Sequence, residues 1–394
     1  MGEEIKIVFI GSRGIPAKYG GNETFVEEIA NRIKEKGFDV FVTCESNKYL
    51  LDEYRGVKRI HIKSVKSRTT IPTINDLLAV VYLILRFPDI QIYYFVAPDG
   101  SIAALLPRLL GKKIIINTDG LEWKRVLIRK KYYPLWLKPI AYLVYKYLLF
   151  TEYISNKISD TVIADSKVIE DYLINKYKTK KVEHISYGSR KLYCSSISEE
   201  EEKLILKKFN LEPHSYYLTV GRIVAENNIH IEVRGFIQSL TKKKLIIVGN
   251  FNSSDPYVQF LYKIKGDDNR VIFHDPIYEQ QTLGILRKNC FAYIHAYEVG
   301  GTNPSLLEQM TFQRPILAYD VPFHWEVLGK GGIYFRDDLD LVEKIRILEE
   351  ERIDLEEIKK CLEERLEDYN WDDITNKYVT LFLNTMKKNG NDRL

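Results

Sequence analysis

Short continuous apolar runs alternate with stretches whose apolar residues recur at helical spacing. Residues 5–10 (IKIVFI), 40–43, 58–63, 90–96 and 114–117 are runs of the first kind and predict buried strands. Between them, Phe25, Ile29 and Ile33 mark a helix that Gly37 terminates. Residues 75–85 predict a second helix, and 101–110 a third that stops at Gly111. Strand runs at 161–164 and 182–185 close this half. Residues 191–213 lack sheet character and contain the acidic run 199–202, which places an interdomain linker there. The alternation then restarts, with strands at 216–220, 245–248, 271–274, 290–294, 316–319 and 332–335 and helices at 229–240 and 258–265. Acid-rich helices follow from Leu339, and residues 371–386 form a last amphipathic helix. This order predicts an α/β chain with two parallel sheets, each wrapped on both faces, and sites outside the carboxyl ends of the strands. The expected domains are 1–195 and 210–369, with the helix 370–388 packing back on the first.

The stretch richest in chemistry is residues 295–315, HAYEVGGTNPSLLEQMTFQRP. Leu306, Leu307 and Met310 put a helix start near Pro304, with Thr302 or Asn303 as its cap. Gly300 and Gly301 let a ligand approach the backbone closely. Unpaired N–H groups and the helix dipole then favour an anion such as phosphate over Gly300, Gly301, Thr302, Asn303 and Ser305. Glu308, one turn into the helix, repels phosphate but suits sugar hydroxyls beside it. Most glycine-rich strand-to-helix turns bind nothing, so one alone says little. A second follows the first strand, where GSRGIP (residues 11–16) ends the strand and Gly20 and Gly21 precede the helix.

Composition narrows the field only modestly. A length of 394 residues suits two domains, and 45% apolar content suffices for two cores. The net charge of +4 gives no reason to expect nucleic acid as a partner. Cys44, Cys194, Cys290 and Cys361 have no paired spacing, which argues for a reducing compartment and against disulfides or zinc. The 7 histidines are scattered, without metal-ligand spacing. No signal peptide is expected, because a strand begins directly after residues 1–4. No apolar run approaches the roughly 20 residues that span a bilayer. One segment stands apart. Residues 123–153 carry Trp123, Lys124, Arg125, Arg129, Lys130, Lys131, Lys138 and Lys146 among tyrosines, with no acid between Glu122 and Glu152. It reads as a core helix with a solvated basic edge, or as a segment lying on an anionic membrane surface.

Five stretches sharpen the reading: GSRGIPAKYGGNETFVEEIA (11–30), NTDGLEWKR (117–125), VGRIVAENN (220–228), VGGTNPSLLEQM (299–310) and YNWDDITNKY (369–378). Together they resemble retaining glycosyltransferase family 4, and within it a bacterial rhamnosyltransferase-like subgroup. The resemblance implies a GT-B fold, two Rossmann-like domains facing across a cleft. It implies a hexosyltransferase that moves a sugar, L-rhamnose from dTDP-rhamnose, to a lipid-linked saccharide in the synthesis of bacterial cell-surface polysaccharide. It also implies a nucleotide-sugar in the C-terminal domain with Arg222 on its diphosphate, a contact that a guanidinium fork suits. Gly20, Gly21, Glu298 and Glu308 join the glycine turn as donor-binding residues. This chain departs from the family in two places. The Lys expected five residues after Arg222 is Asn227, and the Glu expected eight before Glu308 is Gly300, so that Glu298 is the nearest substitute.

Asp119, ending a strand in NTDG, is a candidate base or acceptor ligand, and Glu226 in AENN is a second catalytic candidate beside Arg222. Each has a plain turn or loop reading of similar weight. Asp338 and Asp340 imitate a metal-binding DxD, but they sit in an acidic helix start, so neither metal nor resident cofactor is expected. Trp123, Lys124, Arg125, Arg129, Lys130 and Lys131 are the expected acceptor and membrane contacts, at the cytoplasmic face of the cell membrane. The rival readings are a transferase using a UDP- or GDP-sugar, a GT-B epimerase or phosphorylase, an NAD enzyme and a non-catalytic binding module. The turn GSRGIP fits a dinucleotide poorly.

Overall fold

The computed structural model describes residues 4–17, 20–65, 72–189 and 197–387. Residues 191–196 of the expected linker, Cys194 among them, lie outside them. The chain runs β1 (Lys6–Ile10), α1 (Gly21–Glu35), β2 (Asp39–Ser46), β3 (Leu50–Tyr54), β4 (Val57–Lys63), α2 (Pro72–Arg86), β5 (Ile92–Phe95), α3 (Ser101–Leu109), β6 (Lys113–Thr118), α4 (Glu122–Arg129), α5 (Lys138–Ile158), β7 (Thr161–Ala164), α6 (Lys167–Tyr177) and β8 (Val182–His184). It continues α7 (Glu199–Lys208), β9 (Tyr216–Val220), α8 (Ile229–Gln238), β10 (Lys244–Val248), α9 (Pro256–Lys265), β11 (Val271–His274), α10 (Gln280–Asn289), β12 (Ala292–His295), α11 (Pro304–Met310), β13 (Ile316–Tyr319), α12 (Pro322–Leu328), β14 (Gly332–Phe335), α13 (Asp338–Glu349), α14 (Leu355–Glu367) and α15 (Trp371–Lys387). Contacts divide it into two compact units. The first holds residues up to 123, 143–187 and those from 371; the second holds 124–142 and 188–370.

The first unit is built on an eight-stranded sheet in the order β3-β4-β2-β1-β5-β6-β7-β8. Its strands are parallel except for the β3–β4 hairpin at the edge. β3 has no signature in the pattern of residues, because LLDEY is an edge strand with one face in solvent and no clean alternation. Continuous apolar runs are what a sheet covered on both faces requires. Val8, Ile10, Tyr93, Phe95, Ile114 and Ile116 accordingly pack with Ala79, Val80 and Leu83 of α2 and Ala103 and Ala104 of α3. Gly11 and Gly14 take φ of +97° and +113°, and a Cβ on Gly14 would lie 2.5 Å from Cys44 Sγ, so no larger residue fits. The α15 helix closes this unit: the Tyr94 and Tyr378 hydroxyls meet at 3.1 Å, and Arg32 pairs with Asp372 at 2.7 Å.

The second unit has a six-stranded sheet, β11-β10-β9-β12-β13-β14, parallel throughout. Here the stretch expected to be linker is partly a helix. Ser198 accepts from the Glu201 N–H while the Glu201 carboxylate accepts from the Ser198 N–H, a capping box that nucleates α7 from the acidic run. The helices α10 and α12 were also missed. The first has an interior Gly284 and a weak apolar stripe; the second is only seven residues long.

Candidate functional site

In the second unit three strand ends converge. Gly221 ends β9, Gly249 ends β10 and Tyr297 follows β12. A Cβ on Gly221 would fall 1.6 Å from the Tyr297 hydroxyl, and one on Gly249 would fall 2.4 Å from the Gly221 carbonyl, so both glycines are required by close approach. The Val220 carbonyl accepts from Ser305 Oγ at 3.0 Å, Tyr293 Oη at 3.1 Å and Tyr297 Oη at 3.4 Å. These bonds tie the end of β9 to the glycine turn. Asn303 caps α11 as expected, its side chain accepting from Ser305 N at 3.0 Å, while Thr302 and Gly301 are buried. Gly300 behaves differently: a Cβ there would meet nothing within 4 Å. The turn therefore has open space beside its backbone. Arg222 is exposed at the end of β9. Its charge acts on Tyr297, whose phenol burial raises well above the ordinary range.

Two departures from the family pattern acquire a physical reading. Asn227 donates from Nδ2 to the Arg222 carbonyl at 2.7 Å, so it shapes the loop rather than supplying a cation. The Glu298 N–H donates to the Glu226 carbonyl at 2.9 Å, joining the turn after β12 to the AENN turn.

Glu308 points to a residue that sequence reasoning missed. Arg287, in α10, is fully buried. Its Nη2 donates to Ser305 Oγ at 2.7 Å and to Glu308 Oε2 at 3.2 Å, and its Nη1 to the Ser305 carbonyl at 3.1 Å and Gln309 Oε1 at 3.3 Å. A buried cation thus holds the start of α11 and the Glu308 carboxylate in place. The only trace in the sequence was an arginine between Leu286 and Lys288 in a helix that was not recognised.

The basic stretch after Trp123 carries paired as well as exposed cations. Lys124, Arg125, Arg129, Lys130 and Lys131 were grouped as acceptor and lipid contacts. Within the second unit Arg129 instead forks Glu226, with Nε at 3.0 and 2.9 Å from its two carboxylate oxygens and Nη2 on Oε1. Lys124 lies 3.7 Å from Glu298. Glu226 is 1% exposed. Burial pushes its carboxyl up, but the hydrogen bonds and charge of Arg129, with Arg125 nearby, more than offset this and hold it below its ordinary value. Glu226 is therefore a satisfied anion rather than a loop residue awaiting a proton. Lys130 stands 5.5 Å from the Tyr142 ring centroid, and Lys131 is exposed. Trp123 belongs to the first unit, where its indole N–H donates to the buried Glu152 at 3.1 Å.

In the first unit, Asp119 follows β6, and Gly20 and Gly21 open α1. Asp119 stands among carboxylates that were not singled out. Asp99 is pushed up to about 7 by burial, then by the charges of Glu122 and Asp119. Asp76 is also raised, by burial and then by Asp99 and Glu45. Among the described residues no group of three His, Cys, Asp or Glu could hold a metal ion. Asp337 caps α13, and Asp340 lies in its first turn, 3.4 Å from Arg336, so the DxD resemblance is a helix start.

Comparison with known proteins fits this geometry. Residues 214–351 match the family model described as Glycosyl transferases group 1, and residues 5–190 match a domain of unknown function, DUF1972. The chain is 23% identical over 212 residues to the O-antigen chain mannosyltransferase RfbU of Salmonella typhimurium, a match spanning 54% of this chain and only 55% of that one. Among solved structures, sucrose-phosphate synthase from Thermosynechococcus elongatus superposes with a TM-score of 0.76 at 16% identity, covering 98% of this chain and 100% of the other. Anabaena HepE in complex with UDP and glucose gives 0.72 at 14% identity, covering 96% and 99%. The fold is thus GT-B, two Rossmann-like domains, and residues 214–351 of the second unit are similar to a glycosyltransferase group 1 domain.

Proposed function

We propose that this protein is a metal-independent retaining glycosyltransferase that takes a sugar from a nucleoside diphosphate and passes it to a saccharide acceptor in polysaccharide synthesis. One observation carries the reading. The group 1 glycosyltransferase match covers the strand ends where Arg222 and the open Gly300 turn come together. In the proposed reaction the bond between the anomeric carbon and the diphosphate breaks. The acceptor hydroxyl attacks the same face, and its proton passes to the departing phosphate oxygen. Arg222 and the N–H groups from Gly300 to Ser305 stabilise the charge on that phosphate. Glu308, held by Arg287, and Glu298 take sugar or ribose hydroxyls. Glu226 fixes Arg129 beside them. In the first unit Asp119 orients the acceptor, with Gly20 and Gly21 opening the ligand-facing turn.

The subgroup resemblance favours L-rhamnose from dTDP-rhamnose as donor and a lipid-linked saccharide as acceptor, at the inner face of the membrane. The similarity to a mannosyltransferase supports a second reading, with a mannosyl donor. A panel of dTDP-, GDP- and UDP-sugars, scored by the rise in melting temperature, separates the two, since a ligand bound only by the folded state raises the midpoint. The matching donor should give the largest shift, in EDTA as well as in magnesium. Arg222→Ala should lose about 2 kcal/mol of donor interaction while remaining folded. A wild-type shift in that variant, or a strict metal requirement, refutes the site.

A further inference from the structure

Three neighbouring helices of the first unit expose apolar stripes. α2 packs Ala79, Val80 and Leu83 on the sheet, yet Leu77, Leu78, Val81 and Leu85 recur at helical spacing on its outer side, Leu85 being 73% exposed. Beside it, α3 buries Ala103 and Ala104 and exposes Leu105 and Leu109, the latter by 82%. α5 is bonded to both helices: Thr73 meets the Tyr147 hydroxyl, and Ser101 Oγ donates to the Thr151 carbonyl at 2.9 Å. Its Leu143, 66% exposed, and Phe150 share an outward stripe with Lys146 and Lys157. Single exposed leucines are ordinary, but apolar stripes on three adjacent helices mark an interaction surface.

The charges on these helices identify the partner. The acids in α2, α3 and α5 are Asp76 and Glu152, and both are buried. The bases are Arg86, Arg108, Lys138, Lys146 and Lys157, of which Arg86, Lys146 and Lys157 are exposed. An apolar face whose exposed charges are all cationic is complementary to anionic headgroups over acyl chains. A second copy of this chain suits it poorly, because a two-fold contact would set the same lysines against each other. Among the described residues no helix is long and apolar enough to cross a membrane.

We propose that the outer face of α2, α3 and α5 inserts shallowly into an anionic lipid surface. This rests on the membrane-surface reading of the function, and it replaces the Lys124–Arg129 stretch as the contact. The binding is mainly apolar, with the cations as a supplement.

The test is flotation of the full chain with vesicles of phosphatidylglycerol and phosphatidylcholine. Wild type should float, and a substantial fraction should stay bound in about 1 M salt, where charges are screened within about 3 Å. Leu85→Glu with Leu109→Glu, both at exposed positions remote from the proposed site residues, should weaken vesicle partition by about tenfold or more. Wild type that stays at the bottom, a double variant that floats equally, or complete release of wild type by salt overturns the proposal. So does a wild-type dimer that the substitutions convert to monomer. The melting shift given by nucleotide-sugars is read on the same samples. A shift without flotation refutes the lipid face alone; flotation without a shift refutes the donor function alone.

Discussion

Replacing Arg287 by Met tests how the proposed donor site is held. Methionine fills much of the volume but removes the guanidinium that reaches Ser305, Glu308 and Gln309. Breaking a buried pair by removing one partner costs roughly 3–5 kcal/mol. The Glu308 side chain keeps 18% exposure, so water partly solvates the carboxylate once Arg287 is gone, and the low end, about 3 kcal/mol, applies. For a domain of roughly 150–250 residues each kcal/mol moves Tm by roughly 2–4 °C, so the transition of the second unit should fall by roughly 6–12 °C. The double variant R287M/E308Q removes both charges and should recover most of that loss, since a buried pair exchanged for neutral groups is close to balanced. Donor binding should not recover, because the carboxylate proposed to meet the ligand is gone. Scanning calorimetry with and without nucleotide-sugar measures both effects. If R287M melts with the wild type, or if the double variant is as unstable as R287M, the pair does not hold the site.

Two further outcomes follow from the buried carboxylates. Glu232 is pushed up to about 8 by burial, which outweighs the bonds from Thr219 and the Ala296 N–H. The folded chain therefore keeps a proton that the unfolded chain has released, so stability falls as pH rises from about 5 to about 8. Glu232→Gln should flatten that slope and melt above wild type at the upper end; an unchanged slope in thermal melts contradicts the assignment. In the first unit, Asp119→Asn should lower turnover more than donor affinity, and it should lower the Asp99 titration seen by NMR, since the Asp119 charge adds to the effects of burial and Glu122 that raise it. Equal loss of donor affinity in steady-state kinetics would show that Asp119 acts on the donor.

The sequence by itself determined the architecture. Runs such as IKIVFI and YYLTV fit strands covered on both faces, and their alternation with helices points to parallel sheets. The glycine turn was legible too, because Asn303, Pro304 and the apolar spacing of α11 are local signals that local physics obeys. Elements with weak local signals were not legible: edge strand β3, the glycine-interrupted α10 and the short α12. The partners of charged residues were equally out of reach. Nothing in the chain says that Arg129, 97 residues away, forks Glu226, or that Arg287 is the cation beneath Glu308. Basic residues 124–131 read as a surface patch because sequence shows charge without its counter-ion. Only the tertiary structure brings the carboxylates within bonding distance, and only there do the exposed apolar positions of α2, α3 and α5 fall on neighbouring helices. Periodicity is set by the backbone and survives in one dimension, whereas burial and charge pairing depend on which distant strands the sheet order makes neighbours.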